Sequence, residues 1–292
     1  MFHLDEKLLF DEVLELIRRT STDLPEDVER SLIKARDNEE KNSVAQSTLN
    51  EILSNVDLAR KNSTPICQDT GANIYYVSIP CGVSMRRVEE VICCATVEAT
   101  KKAYLRPNAV CSITGKNSGD NTGTLAPQIY FEEWDEPAIK IKLMLKGGGS
   151  ENVSRQYTLP DSEIGAGRNL DGVYKCVIDS VNRAQGLGCA SGIIGVGIGG
   201  DRATGMKWAK KQLFRTIDDV NPDEELAELE TRLEADLNKL GIGPMGFGGK
   251  ATVLGVKAGA LHRLPASFFV SVAYMCWANR RREVTINLEP EV

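Results

Sequence analysis

The chain lacks any run of about 18 apolar residues, so no segment reads as a membrane span. It also lacks a basic excess. Its 35 Lys and Arg face 41 Asp and Glu, for a net charge of −6. A general nucleic-acid binder would carry the opposite balance, and that class is excluded. No Cys-x-x-Cys pair occurs, which argues against zinc ribbons and thioredoxin-type motifs. The opening Met1-Phe-His-Leu-Asp-Glu-Lys7 lacks the basic start and apolar core of a secretory leader, so the expectation is a cytoplasmic protein. No clean linker, low-complexity tract or internal repeat divides the 292 residues.

What is present describes a globular chain. Hydrophobic residues make up 42% and charged residues 26%, a balance suited to one large domain or two ordinary ones. Residues 5–61 read as helical, with Leu8, Leu9, Val13, Leu14 and Ile17 at helical spacing and Pro25 suited to a first turn. A further helix is expected from about Asn42 to Arg60, and others over 86–104, 161–184, 203–214 and 222–240. Strands are expected at 73–79, at 138–145 with one solvated face, and at 191–198. Short apolar runs at 252–256, 267–273 and 283–288 complete the pattern. The fold class is therefore mixed α/β and helix-rich. It is expected as a single domain over 1–292, with 1–62 as an N-terminal helical lobe ahead of an α/β region.

Eight cysteines in a cytoplasmic chain are expected to be mostly reduced. Three have unusual flanks: Cys67 in Pro65-Ile-Cys-Gln-Asp-Thr-Gly71, Cys189 in Gly186-Leu-Gly-Cys-Ala-Ser-Gly192, and Cys276 in Tyr274-Met-Cys-Trp-Ala-Asn-Arg-Arg281. Taken singly, each reads equally as a small buried hydrophobe, as do Cys93 and Cys94 in their apolar helical run. Glycine clusters recur at 115–121, 146–152, 195–200 and 241–249. One such cluster is an ordinary turn. Four of them beside Asn, Ser, Lys and Asp favour an anion-lined cleft, because exposed backbone N–H groups bind carboxylates or sulfides. Gly195, Gly197 and Gly200 also fit G-x-G-x-x-G between a strand and a helix. That keeps a nucleotide-dependent oxidoreductase open as a rival.

The segments ICQDTG, LRPNAV, TGKNSGDN, KGGGSEN, GIIGVGIGGDRATG, GIGPMGFGG and PASFFVSVAYMCWANRR resemble the α subunit, or N-terminal domain, of the class I (iron–sulfur) fumarate hydratase and L-tartrate dehydratase family. The resemblance runs from about Thr64 to Leu288. It implies a [4Fe–4S] cluster on Cys67, Cys189 and Cys276, whose fourth iron takes a 2-hydroxy dicarboxylate. It implies substrate contacts from Gln68, Asp69, Arg106 and the backbone of Gly149. Without the resemblance, Arg106 reads as a surface ion pair and Asp69 as a helix N-cap.

Two positions depart from the family pattern. Leu264 stands where some relatives carry a substrate-contacting histidine. His262 is the nearest substitute; on a strand it would share that face at roughly 6–7 Å. Ser191 stands where a proline is common. No counterpart of the family's catalytic base appears, so the base is expected from a separate β subunit in a hetero-oligomer. The function implied is reversible hydration of fumarate to L-malate. L-tartrate or mesaconate are alternative substrates, and a noncatalytic paralogue is a further alternative.

Overall fold

The computed structural model describes residues 2–290. In chain order the elements are β1 (Phe2–His3), α1 (Glu6–Thr22), α2 (Glu26–Asn38), α3 (Val44–Asn62), β2 (Ala72–Ile79), α4 (Met85–Lys101), β3 (Gln128–Glu133), β4 (Ala138–Lys146), α5 (Gly148–Asn152) and β5 (Arg155–Thr158). They continue with α6 (Leu170–Ala184), β6 (Gly192–Ile198), α7 (Arg202–Gln212), α8 (Glu224–Asn238), β7 (Val253–Ala260), β8 (Phe269–Met275), β9 (Arg280–Asn287) and β10 (Glu289–Pro290). The class is mixed α/β, as the sequence predicts. No described helix is long and apolar enough to cross a membrane. The elements fall into two compact units. One comprises Met1–Pro25, Asn55–Gly147 and Arg280–Val292; the other comprises Glu26–Ser54 and Gly148–Asn279.

In the first unit a four-stranded sheet runs β3-β2-β4-β9, parallel between β2 and β3 and antiparallel elsewhere. Helix α1 starts at Asp5, whose carboxylate accepts the amides of Lys7 and Leu8. Its Leu9, Val13, Leu16 and Ile17 form one buried stripe. Helix α4 adds Val88, Ile92, Ala95 and Ala99. Together they cover alternate residues of two strands: Tyr75, Val77 and Ile79 of β2, and Ile139, Ile141, Leu143 and Leu145 of β4. The other face of β4 is solvated in part, as expected: the Lys140 and Lys142 side chains are partly exposed and reach the half-exposed Glu283 of β9 at 3.0 and 3.6 Å, while Met144 and Lys146 further along are buried. Leu8, expected on the apolar stripe, is exposed. A short antiparallel ribbon joins β1 to β10.

The second unit holds the sheet β5-β8-β6-β7, with β6 parallel to β7 and antiparallel to β8. Helix α6 begins later than the periodicity suggests. Residues 161–169 form a turn closed by an Asp161–Ala166 bridge, and Asn169 caps the helix. Val173, Val177 and Val181 of α6 and Leu229, Leu233 and Leu237 of α8 pack over Ile194, Val196 and Ile198 of β6. The alternate β6 residues are Gly195 and Gly197, and α7 lies hard against them. A Cβ on Gly195 would stand 2.2 Å from the Ala209 carbonyl oxygen, and one on Gly197 would stand 2.3 Å from that of Gly205. These two glycines of the G-x-G-x-x-G pattern therefore serve helix-to-strand packing. The apolar run ending at Tyr274 is core, as expected, with Phe268, Val270, Val272 and Tyr274 buried.

An ionic network sits on this unit's edge. The Arg215 fork bonds Asp219 at 2.9 Å and reaches Glu230 at 2.7 Å, and the buried Lys257 ammonium meets Asp219 at 2.7 Å. Burial alone would push the Asp219 carboxyl up, but bonds from Arg215 and Lys257 outweigh it and leave its pKa below the ordinary 3.8.

Gly195→Ala is expected to cost about 1–3 kcal/mol through this backbone clash, read as a lower urea midpoint. A midpoint equal to the wild type would refute the close-packing account. A carboxyl with a lowered folded pKa stabilises above its unfolded value and loses that contribution as pH falls through the folded value. Chain stability should therefore fall below about pH 4, and Asp219→Asn, weaker at neutral pH, should lose less over the same acid range. Parallel acid profiles for the two proteins would contradict the assignment.

Candidate functional site

Two sequence motifs meet in the first unit because β2 and β4 are antiparallel neighbours. The Ile66–Gly71 segment enters β2, the Lys146–Gly147 segment leaves β4, and Ala72 pairs with Lys146. Gly71 sits at φ +79, and a Cβ there would lie 2.5 Å from the Lys146 carbonyl carbon, so no other residue fits. This juncture borders a cavity of about 420 Å³ whose walls include Cys67, Gln68, Thr70, Arg106 and Pro107.

Thr70 holds the opposite wall. Its hydroxyl accepts the Arg106 amide and the Asn108 side-chain amide, both at 3.1 Å. Asn121 is buried. Its side chain donates to the Arg106 carbonyl at 3.0 Å and to the Thr100 hydroxyl at 2.9 Å, and accepts the Asn108 amide at 2.7 Å. The Arg106 backbone is thereby fixed while its side chain stays exposed. The Arg106 guanidinium makes no ion pair among the described residues, so the surface salt-bridge alternative is not what the chain does with it. Asp69 precedes a strand, not a helix. Its carboxylate accepts the Gly71 amide at 3.0 Å, and its carbonyl accepts Nη2 of Arg280 at 2.9 Å.

The second unit brings Cys189 and Cys276 together with Tyr274. Cys189 has φ +57, a left-handed conformation costing an ordinary residue about 1–2 kcal/mol. Its amide donates to the Gly186 carbonyl at 3.1 Å, and its carbonyl accepts the amide of Trp277, next to Cys276, at 3.2 Å. The following Ala190–Ser191 peptide bond is cis. Ser191 is buried and donates to the Ala251 carbonyl. The Tyr274 ring fills the space a side chain at Gly188 or Gly192 would need, since a Cβ on either would stand 2.5 Å from it. The Tyr274 hydroxyl is buried and without a hydrogen-bond partner among the described residues. Burial first, then the Cys276 and Cys189 thiols, raise its pKa. Gly149, on α5, faces the same turn, and a Cβ there would lie 3.5 Å from the Leu187 carbonyl oxygen.

The other cysteines differ. Cys176 is buried, and that burial pushes its thiol up to about 12, as fits an inert core residue. Cys94 is exposed and Cys93 half-buried, contrary to the core position expected of them. Cys67, Cys189 and Cys276 are all partly exposed. Among the described residues, no group of three or more His, Cys, Asp or Glu is gathered closely enough to hold a metal ion. The second unit's own part of the ligand set nonetheless suits an iron–sulfur group: two accessible thiols, one on a strained turn, above an orphaned tyrosine hydroxyl.

His262 and Leu264 lie in the loop after β7, so the shared strand face considered for them does not exist. Both are exposed, Leu264 at 72%. The sequence reading missed Thr70, Asn108, Asn121, Tyr274 and Arg280. All five lie inside motifs already singled out, but those motifs do not say which group each side chain holds. What hid them was that each acts through a neighbour.

The sequence matches a known family. The model for fumarate hydratase (Fumerase) matches residues 10–285. The chain is 51% identical over 282 residues to a Geobacillus stearothermophilus protein named as a candidate class I fumarate hydratase, covering 96% of this chain and 55% of that protein. It thus spans about half the length of that relative. It is 34% identical to a Methanocaldococcus jannaschii protein named as a candidate L(+)-tartrate dehydratase subunit alpha, over 97% of this chain and 99% of that one. It is 32% identical to the L(+)-tartrate dehydratase subunit alpha of Escherichia coli K12, over 92% of this chain and 88% of that one.

Thr70→Val removes the acceptor that fixes the Arg106 segment. The expected cost is about 1–2 kcal/mol, with faster hydrogen exchange at the Arg106 amide. Unchanged exchange at that amide would show that Thr70 does not hold this wall.

Proposed function

The chain belongs to the fumarate hydratase (Fumerase) family, and from that premise we propose that it is the iron–sulfur subunit of a hydro-lyase interconverting fumarate and L-malate. The carrying observation is the first unit's cavity, which sets Cys67, Gln68 and Arg106 on one wall system. In this reading Cys67, Cys189 and Cys276 hold a [4Fe–4S] cluster. When bound, the cluster supplies a Lewis-acidic iron that weakens the carbon–oxygen bond of the 2-hydroxy acid.

The chain's own residues do the positioning. Arg106 offers a guanidinium fork to a substrate carboxylate, its backbone held by Thr70 and Asn121. Gln68 and Asp69 orient the substrate from a turn pinned on both sides. The Gly149 amide donates to developing carboxylate charge, and its missing side chain lets the ligand approach. His262, on its exposed loop, is the weakest member of this set. The proton that leaves carbon needs a base, and we assign it to a separate β subunit. The names of the tartrate dehydratase relatives, which are α subunits, support that partner, as does the length by which the Geobacillus relative exceeds this chain.

Residues 1–292 then act as one α-subunit-type module, with the helices of 1–62 divided between its two units. Eight unpaired cysteines support a reducing, cytoplasmic setting. L-tartrate is the second reading, supported by the two tartrate dehydratase relatives that match nearly the whole chain. Their lower identity makes it second.

Anaerobic preparation is expected to give a brown protein with about four irons, and fumarate absorbance should fall only when the β partner is added. Cys67→Ser, Cys189→Ser and Cys276→Ser should each lose the cluster, while Cys93→Ser and Cys94→Ser keep it. Full iron in any of the first three variants would sink the ligand assignment. Turnover of L-tartrate but not fumarate would select the second reading.

A further inference from the structure

Arg280 opens β9 opposite Leu145 and is one of the largest fully buried side chains, at 1% exposure. A guanidinium carries five N–H donors and a permanent charge. Here one nitrogen, Nη2, donates to the Asp69 carbonyl at 2.9 Å. The other two, Nε and Nη1, have no partner, and the guanidinium makes no ion pair among the described residues. A cation held in this way is unfavourable for folding, because one neutral carbonyl does not offset the loss of water. A fold selected for stability alone would use an apolar residue of the same length.

The surroundings show what the charge is for. Its one bond goes to the residue after Gln68 and two after Cys67, on the turn that borders the cavity. Gly147 leaves the approach open. A Cβ there would stand 4.0 Å from Nη2 and 3.0 Å from the Asp69 carboxylate. The Asp69 carboxylate accepts the Gly71 amide. The guanidinium thus has one neutral acceptor and no ion pair among the described residues, directly behind the proposed substrate turn.

We propose that Arg280 is a positioning residue for dicarboxylate binding: it clamps the Asp69 carbonyl, and its buried charge is balanced when a dianionic four-carbon acid sits on the Gln68–Asp69 turn. It touches that turn and not the ligand. The inference rests on the functional reading above and deepens it. Through a low-dielectric wall such a charge is worth on the order of tenfold in affinity for a dianion.

The test compares wild type with Arg280→Met and Arg280→Lys, using succinate as a non-reacting probe. In the cluster-free chain, Arg280→Met should melt no lower than wild type without ligand, yet lose the upward shift that succinate gives. Arg280→Lys, which keeps the charge but not the fork, should keep part of that shift. With cluster and β partner, Arg280→Met should raise KM for malate about tenfold with a smaller change in kcat and unchanged iron content. If both variants keep the full succinate shift and the wild-type KM, the inference is overturned and Arg280 is only a structural residue. If wild type itself holds no iron and gains nothing from succinate, the functional reading fails instead.

Discussion

The antiparallel register of β2 against β4 is the constraint on which the first unit's site depends. Pairing Ala72 with Lys146 forces the turn before β2 and the loop after β4 to the same sheet end. Gly71 then presses on the Lys146 backbone with no room for a side chain. A slip of one residue would turn Tyr75 and Val77 away from α1 and α4, so the hydrophobic core enforces the register that the site requires. Packing and function are specified together here. The residues that bury the sheet also fix where Cys67, Gln68 and Asp69 stand.

The second unit solves a different problem. It brings two thiols together, one of them on a turn that an ordinary residue avoids. Tyr274 anchors that turn from below, with its ring in the gap left by two glycines and its hydroxyl given no partner. A core tyrosine would normally satisfy its hydroxyl. Leaving it orphaned resembles the treatment of Arg280, where polar capacity is also buried and unused. Both residues lie in the stretch from Tyr274 to Arg280, so one short segment contributes buried polar groups without a partner among the described residues to each unit. Such concentrated local cost is the usual mark of a site shaped for something other than stability.

Much of the fold was legible in the residues. Helical spacing located α1, the helices expected at 86–104 and 203–214 are α4 and α7, the strands expected at 73–79 and 191–198 are β2 and β6, and the apolar run at 267–273, given no element, is β8. The misplacements have physical causes. The start of α6 was placed too early because Gly165 and Gly167, which weaken a helix, were passed over; the segment is held in a turn by the Asp161–Ala166 bridge. The solvated face expected for β4 holds at Lys140 and Lys142 but not at Met144 and Lys146, which are buried. Periodicity carries no information about long-range partners. In the candidate site, the residues that the resemblance assigns to a ligand, such as Arg106 and Asp69, were identifiable by motif. Thr70, Asn121 and Arg280 were not, since nothing in a side chain's own sequence setting reveals which carbonyl or amide it will hold.

The first unit is assembled from three separated pieces of chain, and this has a consequence for biosynthesis. Strand β9 enters its sheet only after the whole of Gly148–Asn279 has left the ribosome. Until then β4 has an unpaired edge, and the Asp69 carbonyl lacks its clamp. The cysteine turn of the second unit, by contrast, lies wholly within residues already synthesised. The turn carrying Cys67, made early, is therefore clamped only by a residue 211 positions further along the chain than the carbonyl it holds.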